Sequence, residues 1–339
     1  MKSNKLKTLL VFVIMIIVFY IVVKDDYEII LDNLAKCNKL FILISIGLIF
    51  AYYFMKAFAL YKIVKEHKKD IRFRDILKQT LITQFFNGIT PFSTGGQPMQ
   101  IYMLKNSGIK VSNATNVIIQ DFLMYQLALI SVGIFALAVN IFFPFMKLSA
   151  EIVTLIIIGF IINIAIGLGL LFISFSKRFN DFVGKLIIKI GSKVRIIKDK
   201  ENTIKEWEVR LDEFHESAKI FKKKKRLFIE CYVLNTFGLI AYYIIPYFVF
   251  ISFGDPISIG ITTVITSSAF VLIIGNFVPI PGGSGGIEYS FYLIFGSFLP
   301  NRLISSALII WRFVTYYLGV LIGAIALGFY KGKEKESEA

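Results

Sequence analysis

Charge is scarce in this chain of 339 residues. Only 18% is Asp, Glu, Lys or Arg, against the roughly 25% usual for a water-soluble domain. Hydrophobic residues make up 56%, including 34 Phe. Between charged side chains lie 25 residues from Phe122 to Met146, 25 from Ile152 to Ser176, 24 from Cys231 to Gly254 and 32 from Pro256 to Ile287. Each exceeds the roughly 20 residues that cross hydrocarbon. No water-facing shell can be drawn around such runs, so Rossmann, barrel and disulfide-scaffold folds are excluded. An all-α polytopic membrane protein is expected, with 1–339 as a single membrane domain.

Cysteine and histidine are almost absent. Cys37 and Cys231 lie beside different membrane segments and make neither a disulfide framework nor a metal motif. His67 and His215 sit in highly charged loops and read as solvated. There is no nucleotide-binding P-loop, no H-E-x-x-H and no loop D-x-D. Catalysis by a soluble domain is therefore not expected, and neither is a cofactor or a metal.

What charge there is runs one way. Lys and Arg number 38 against 23 Asp and Glu, a net +15 that in a soluble protein would suggest nucleic acid. Here the positive-inside rule accounts for it, and no nucleic-acid partner is expected. A basic start precedes a first helix at 8–23, retained because no small-residue cleavage site follows. The connector 24–39 suits the outside, and a second helix runs from about 40 to 61, with Lys56 able to snorkel to its inner end. Residues 62–78 carry an inside signature of seven Lys and Arg. Helices at 112–142 and 152–175 follow, then a loop at 176–227 with 16 basic and 8 acidic residues. In that loop Phe179, Phe182, Val183, Leu186, Ile187 and Ile190 mark an interfacial amphipathic helix. Ile204, Trp207, Leu211, Phe214, Ala218 and Phe221 mark a second, either capping the membrane domain or docking a partner. Helix 228–253, a turn at 254–256 and helix 303–330 place the tail 331–339, like the N-terminus, inside the cell.

Two apolar stretches are broken. Asn87 to Pro98 interrupts one, and Pro279 to Gly286 interrupts the other at Pro-Ile-Pro-Gly-Gly-Ser-Gly-Gly. The flanking halves are too short to span, and non-helical backbone at membrane depth needs protein or a wet cavity around it. Both therefore read as re-entrant helix pairs, beside about six full spans. A shift of 190 residues aligns Ala51-Tyr52-Tyr53 with Ala241-Tyr242-Tyr243, Pro91-x-x-Thr94-Gly95-Gly96 with Pro281-x-x-Ser284-Gly285-Gly286, and Tyr102 with Tyr292, without a gap. Repeat one is then 40–142, repeat two 230–330, and 143–229 holds the linking helix and the basic cytoplasmic loop. The odd linking helix inverts the repeats, an arrangement typical of secondary transporters with a site near the midplane.

Ionisable residues inside membrane segments point to function. They are Asp121, Glu288 and Arg312, and Asp121 and Arg312 are one position from equivalent under the repeat. Two readings stand: Asp121 or Glu288 pairs with Arg312 to hold the bundle, or the three line a polar pocket between the repeats. In the pocket reading Thr94, Gly95, Gly96, Ser284, Gly285 and Gly286 expose backbone N–H groups at half-helix N-termini, which with Arg312 would hold a phosphate, while Glu288 and Asp121 would meet an ammonium group. Gln97, Gln100, Asn87 and Asn276 add neutral hydrogen-bonding groups.

The stretches Thr90 to Tyr102 and Pro279 to Glu288, together with Arg312-x-x-Thr315-Tyr316-Tyr317, resemble the lysylphosphatidylglycerol synthase transmembrane family, the flippase-like membrane domain of bacterial multiple peptide resistance factors. The resemblance covers nearly the whole chain. It implies a multi-pass protein of the bacterial inner membrane that moves aminoacylated phosphatidylglycerol to the outer leaflet and so counters cationic peptides. The substrate-binding residues expected are Asp121, Glu288, Arg312, Gln97, Gln100, Thr94, Gly95, Gly96, Ser284, Gly285, Gly286 and Tyr316. Lysyl transfer in that family belongs to a C-terminal soluble domain, and no counterpart follows the last helix here, so transfer by this chain alone is not expected. Gln120-Asp121 stands where many relatives carry a Glu-Arg pair. The expected partner is a membrane phospholipid. A separate lipid-modifying synthase, transport of polyprenyl-linked sugars, and a scaffold docking through 200–226 are the alternatives.

Overall fold

The computed structural model describes residues 32–330, apart from 34, 145, 147–148, 194–198, 255–258 and 276–279. The expected first helix, the turn at 255–256, Asn276, Pro279 and the tail lie outside the described residues. Those described are almost entirely helical, with no strand among them. In chain order the helices are α1 Lys39–Lys65, α2 Phe73–Ile89, α3 Gly96–Asn106, α4 Val111–Phe142, α5 Ala150–Phe175, α6 Lys177–Lys193 and α7 Lys200–Lys223. After them come α8 Lys225–Ile251, α9 Ile261–Gly275, α10 Gly286–Phe295, α11 Asn301–Arg312 and α12 Leu318–Gly328. Helices α1, α4, α5 and α8 are each long and apolar enough to cross a membrane, as is the combined run Asn301–Gly328. That run is one helix in the sequence reading. The structure divides it by a π-helical turn at Phe313–Tyr317, a wide turn whose presence no residue type announces.

Local chemistry sets the ends. Asn38 caps α1 by accepting from the Leu40 N–H, and Ser149 caps α5 by accepting from the Ile152 N–H. Helix α2 stops at Thr90 because Pro91 follows: a proline pushes the residue before it into extended backbone, and Thr90 sits at φ −118°, ψ 147°. The second stretch repeats the event at Ile280, φ −109°, ψ 146°, before Pro281. Each proline opens a single 3-10 turn, Pro91–Ser93 and Pro281–Gly283. The second residue of each turn is left-handed, Phe92 at φ 54° and Gly282 at φ 65°, both with ψ 14°. Thr94 and Ser284 then donate to the carbonyls of Pro91 and Pro281, each at 3.0 Å.

Positions 190 apart also meet one another. Tyr52 of α1 and Tyr242 of α8 contact edge to face at 5.3 Å, and the two 3-10 turns pack together. Contact between equivalents is what a two-fold relation produces. The exchange extends to the half-helices: α2 packs on α12 and α9 on α4. Both crossings are close because a glycine lies at each. A Cβ on Gly323 would meet the Leu81 carbonyl at 2.6 Å, and one on Gly133 would meet Ile273 at 2.5 Å. Gly133 and Gly323 are themselves 190 apart, and small residues that let backbones approach are a general device for packing helices in lipid.

The polar hairpin α6–α7 closes one end of the bundle. Gly184 of α6 lies flat against the Trp207 indole of α7, and Leu211, Phe214 and Ala218 are buried. Glu213 pairs with Lys110 at 2.7 Å and accepts from Ser112 at 2.6 Å, while Asn116 of α4 donates to the Phe214 carbonyl. Of the two expectations for this loop, the structure shows the cap.

Candidate functional site

The three intramembrane charges do not converge. Arg312, at the end of α11, pairs with Glu288 of α10 at 2.7 Å (Nε to Oε1), and both are buried. The Nε–H is not aimed at that oxygen, so the contact is an ion pair and not a directed hydrogen bond. The guanidinium Nη2 donates to the Gly282 carbonyl at 3.1 Å and to Ser284 Oγ at 3.4 Å. Its plane lies over the Tyr316 ring, 4.5 Å from the centroid. Tyr316, carried on the π turn, donates to the Gly88 carbonyl at the end of α2, at 2.9 Å. Glu288 closes the circle by accepting from the Gly285 N–H at 2.6 Å. Of the two sequence readings, the bundle-holding pair is thus present between Glu288 and Arg312, and it clamps the second break.

Asp121 lies elsewhere. It borders a cavity of about 30 Å³ beside the first break, lined also by Lys56, Thr80, Thr83, Gln97, Gln100 and Tyr125. That volume holds one or two water molecules. Asp121 is 9% exposed and its Oδ1 has no hydrogen-bond partner; neither have Gln97 Oε1 and Thr80 Oγ1. Lys56 does not snorkel. Its ammonium sits over the rings of Tyr125 at 4.8 Å and Tyr52 at 5.8 Å. Ring faces attract a desolvated cation, and the carboxyl of the same cavity adds to that pull. Among the described residues no ion pair joins Lys56 to Asp121. Sequence reasoning missed Lys56 because its spacing from the helix end allowed escape. It missed Thr80, Thr83 and Tyr125 because each is unremarkable until α2 and α4 are placed side by side.

The glycine breaks differ from expectation in one respect. Their first N–H groups are not open to a ligand, because the chain's own side chains accept from them: Thr90 Oγ1 from Gly95 at 2.8 Å, Asn87 Oδ1 from Gly96 at 2.9 Å, and Glu288 from Gly285. Short helices in a poorly hydrated place satisfy their orphan donors locally. Thr94 is exposed at the surface of the first break, and Gly286 begins α10. A larger hollow of about 510 Å³ opens at the far end of α2, between Lys68, Arg72, Lys78, Gln79 and Tyr330. Its cations are already committed, Lys68 to Asp70, Arg72 to Asp75 and Lys78 to the Phe329 carbonyl, so the small cavity is the stronger candidate.

Two helix-breaking turns packed together in a bundle of helices long and apolar enough to cross a membrane define an all-α polytopic membrane protein. Residues 7–323 match the family described as Lysylphosphatidylglycerol synthase TM region, and the chain belongs to it. Two relatives extend the comparison. A UPF0104 membrane protein of Archaeoglobus fulgidus is 24% identical over 269 residues, 78% of this chain and 79% of that protein. A UPF0104 membrane protein of Methanothermobacter thermautotrophicus is 20% identical over 312 residues, 90% of each chain.

Proposed function

We propose that the protein is a phospholipid flippase of the cell membrane, with aminoacylated phosphatidylglycerol as its substrate and lowered sensitivity to cationic peptides as the consequence. In this reading 40–142 and 230–330 are inverted repeats, and the termini face the cytoplasm. The observation that carries it is the pair of matched breaks packed on each other, with an unpartnered carboxylate and a lysine beside one of them at membrane depth. A passive bundle has no use for such groups, which are costly in hydrocarbon. Arg312, expected to grip phosphate, is instead assigned to holding the second break. The cavity as it stands is too small for a head group, so passage requires the first break to move.

The test is reconstitution into vesicles containing lysylphosphatidylglycerol and phosphatidylglycerol, with leaflet-resolved amine labelling. Protein-dependent movement of the lysyl lipid is expected. Vesicles in which neither lipid moves faster than in protein-free controls would overturn the proposal.

A further inference from the structure

We propose that the cavity between Lys56 and Asp121 seats the primary ammonium of a phospholipid head group, with Lys56 facing the phosphate of the same head group. The inference rests on the lipid reading above for its ligand class and goes beyond it in naming the group recognised. An ammonium is about the size of a water molecule, and the cavity is water-sized. A primary ammonium carries three donors and no acceptor. The residues lining the cavity carry three buried atoms with no partner, Asp121 Oδ1, Gln97 Oε1 and Thr80 Oγ1, and each can accept. One of them belongs to a carboxylate, so one contact is charge-assisted.

The same geometry says what is refused. A trimethylammonium has no N–H to give these acceptors, and its methyl groups exceed the volume. A head group without an amine leaves Asp121 unmatched. A bare cation is also disfavoured, because Lys56 is held within the same cavity lining by Tyr125 and Tyr52. A phosphodiester on the same molecule answers that positive charge, so the pocket's one cation and one anion suit a head group carrying both signs.

The test is native mass spectrometry of the detergent-purified protein offered an equimolar mixture of phosphatidylethanolamine, lysylphosphatidylglycerol, phosphatidylcholine and phosphatidylglycerol with the same acyl chains. At least one amine lipid is expected to be retained about tenfold over phosphatidylcholine and phosphatidylglycerol, the value of one charge-assisted hydrogen bond. Which amine lipid it is distinguishes an ethanolamine from an aminoacyl source. In Asp121→Asn the preference should fall to near parity while total lipid retention stays. Equal retention of all four lipids by the unaltered protein would overturn the inference, as would an undiminished preference in a folded Asp121→Asn. Binding is read here without transport, so selective retention alongside no movement in vesicles would remove the flippase reading alone. Movement without selectivity would remove this inference alone.

Discussion

The two breaks share a backbone and differ in what holds it. Both open on a proline, turn left-handed at the next residue and close with a hydroxyl on the proline carbonyl. Around the second, Pro281, Gly282, Gly283 and Ser284 are buried, and the Arg312–Glu288 pair ties the turn to α10 and α11. Around the first, Phe92 is 53% exposed, only neutral side chains cap the N–H groups, and the charge nearby is left unpaired beside a cavity. One fold element is thus clamped by a buried ion pair on one side and capped only by neutral side chains on the other. The flippase proposal places its moving part at the first break because of that difference.

Glu288→Gln should break the comparison most severely. It leaves Arg312 buried without its counter-charge, at about 3–5 kcal/mol. Thermal unfolding of the purified protein in detergent reads the loss, and adding Arg312→Gln should recover most of it. A midpoint close to that of the unaltered protein would mean the second break is no clamp.

Gly282→Ala comes next. Gly282 is at φ 65°, and a Cβ there would stand 2.2 Å from the Tyr316 ring, so strain and displacement together should cost about 2–4 kcal/mol. The same unfolding experiment checks it, and a neutral result would show that the ring moves freely.

Tyr316→Phe keeps the ring beneath Arg312 and removes the donor to the Gly88 carbonyl, the direct hydrogen bond from the clamp to α2. A loss of about 1–2 kcal/mol is expected. Faster hydrogen exchange near the end of α2 should accompany it, and unchanged exchange there would detach the clamp from the first half.

The smallest effect should come from Phe92→Gly, the counterpart of Gly282. Relief of a left-handed non-glycine residue and the added freedom of the unfolded chain nearly offset, leaving a change below about 1 kcal/mol. A large destabilisation would show that the exposed Phe92 ring is a structural contact and would erase the contrast between the breaks.

The spans were legible from residue type alone. Charge-free runs longer than the hydrocarbon are visible in the sequence, and proline and glycine at membrane depth announce where helices cannot continue. The constant offset of 190 places the two breaks in register from the residues alone. The occupied N–H groups were not legible, since Thr90 and Asn87 reach Gly95 and Gly96 only after the turn has formed. Nor was the π turn at Phe313–Tyr317, where no breaker residue stands.

The sequence by itself determined that this is an all-helical membrane protein with two matched interruptions and three expensive charges, because burying an unsatisfied backbone or an ion in lipid costs so much that only a few residue patterns permit it. Tertiary structure alone decided how those charges are shared out. Whether Arg312 meets Glu288 or Asp121 turns on which helices lie side by side. Only that packing drew Lys56 inward over Tyr125 and left Asp121 facing a water-sized space, because contacts between segments far apart in sequence leave no periodicity within either one.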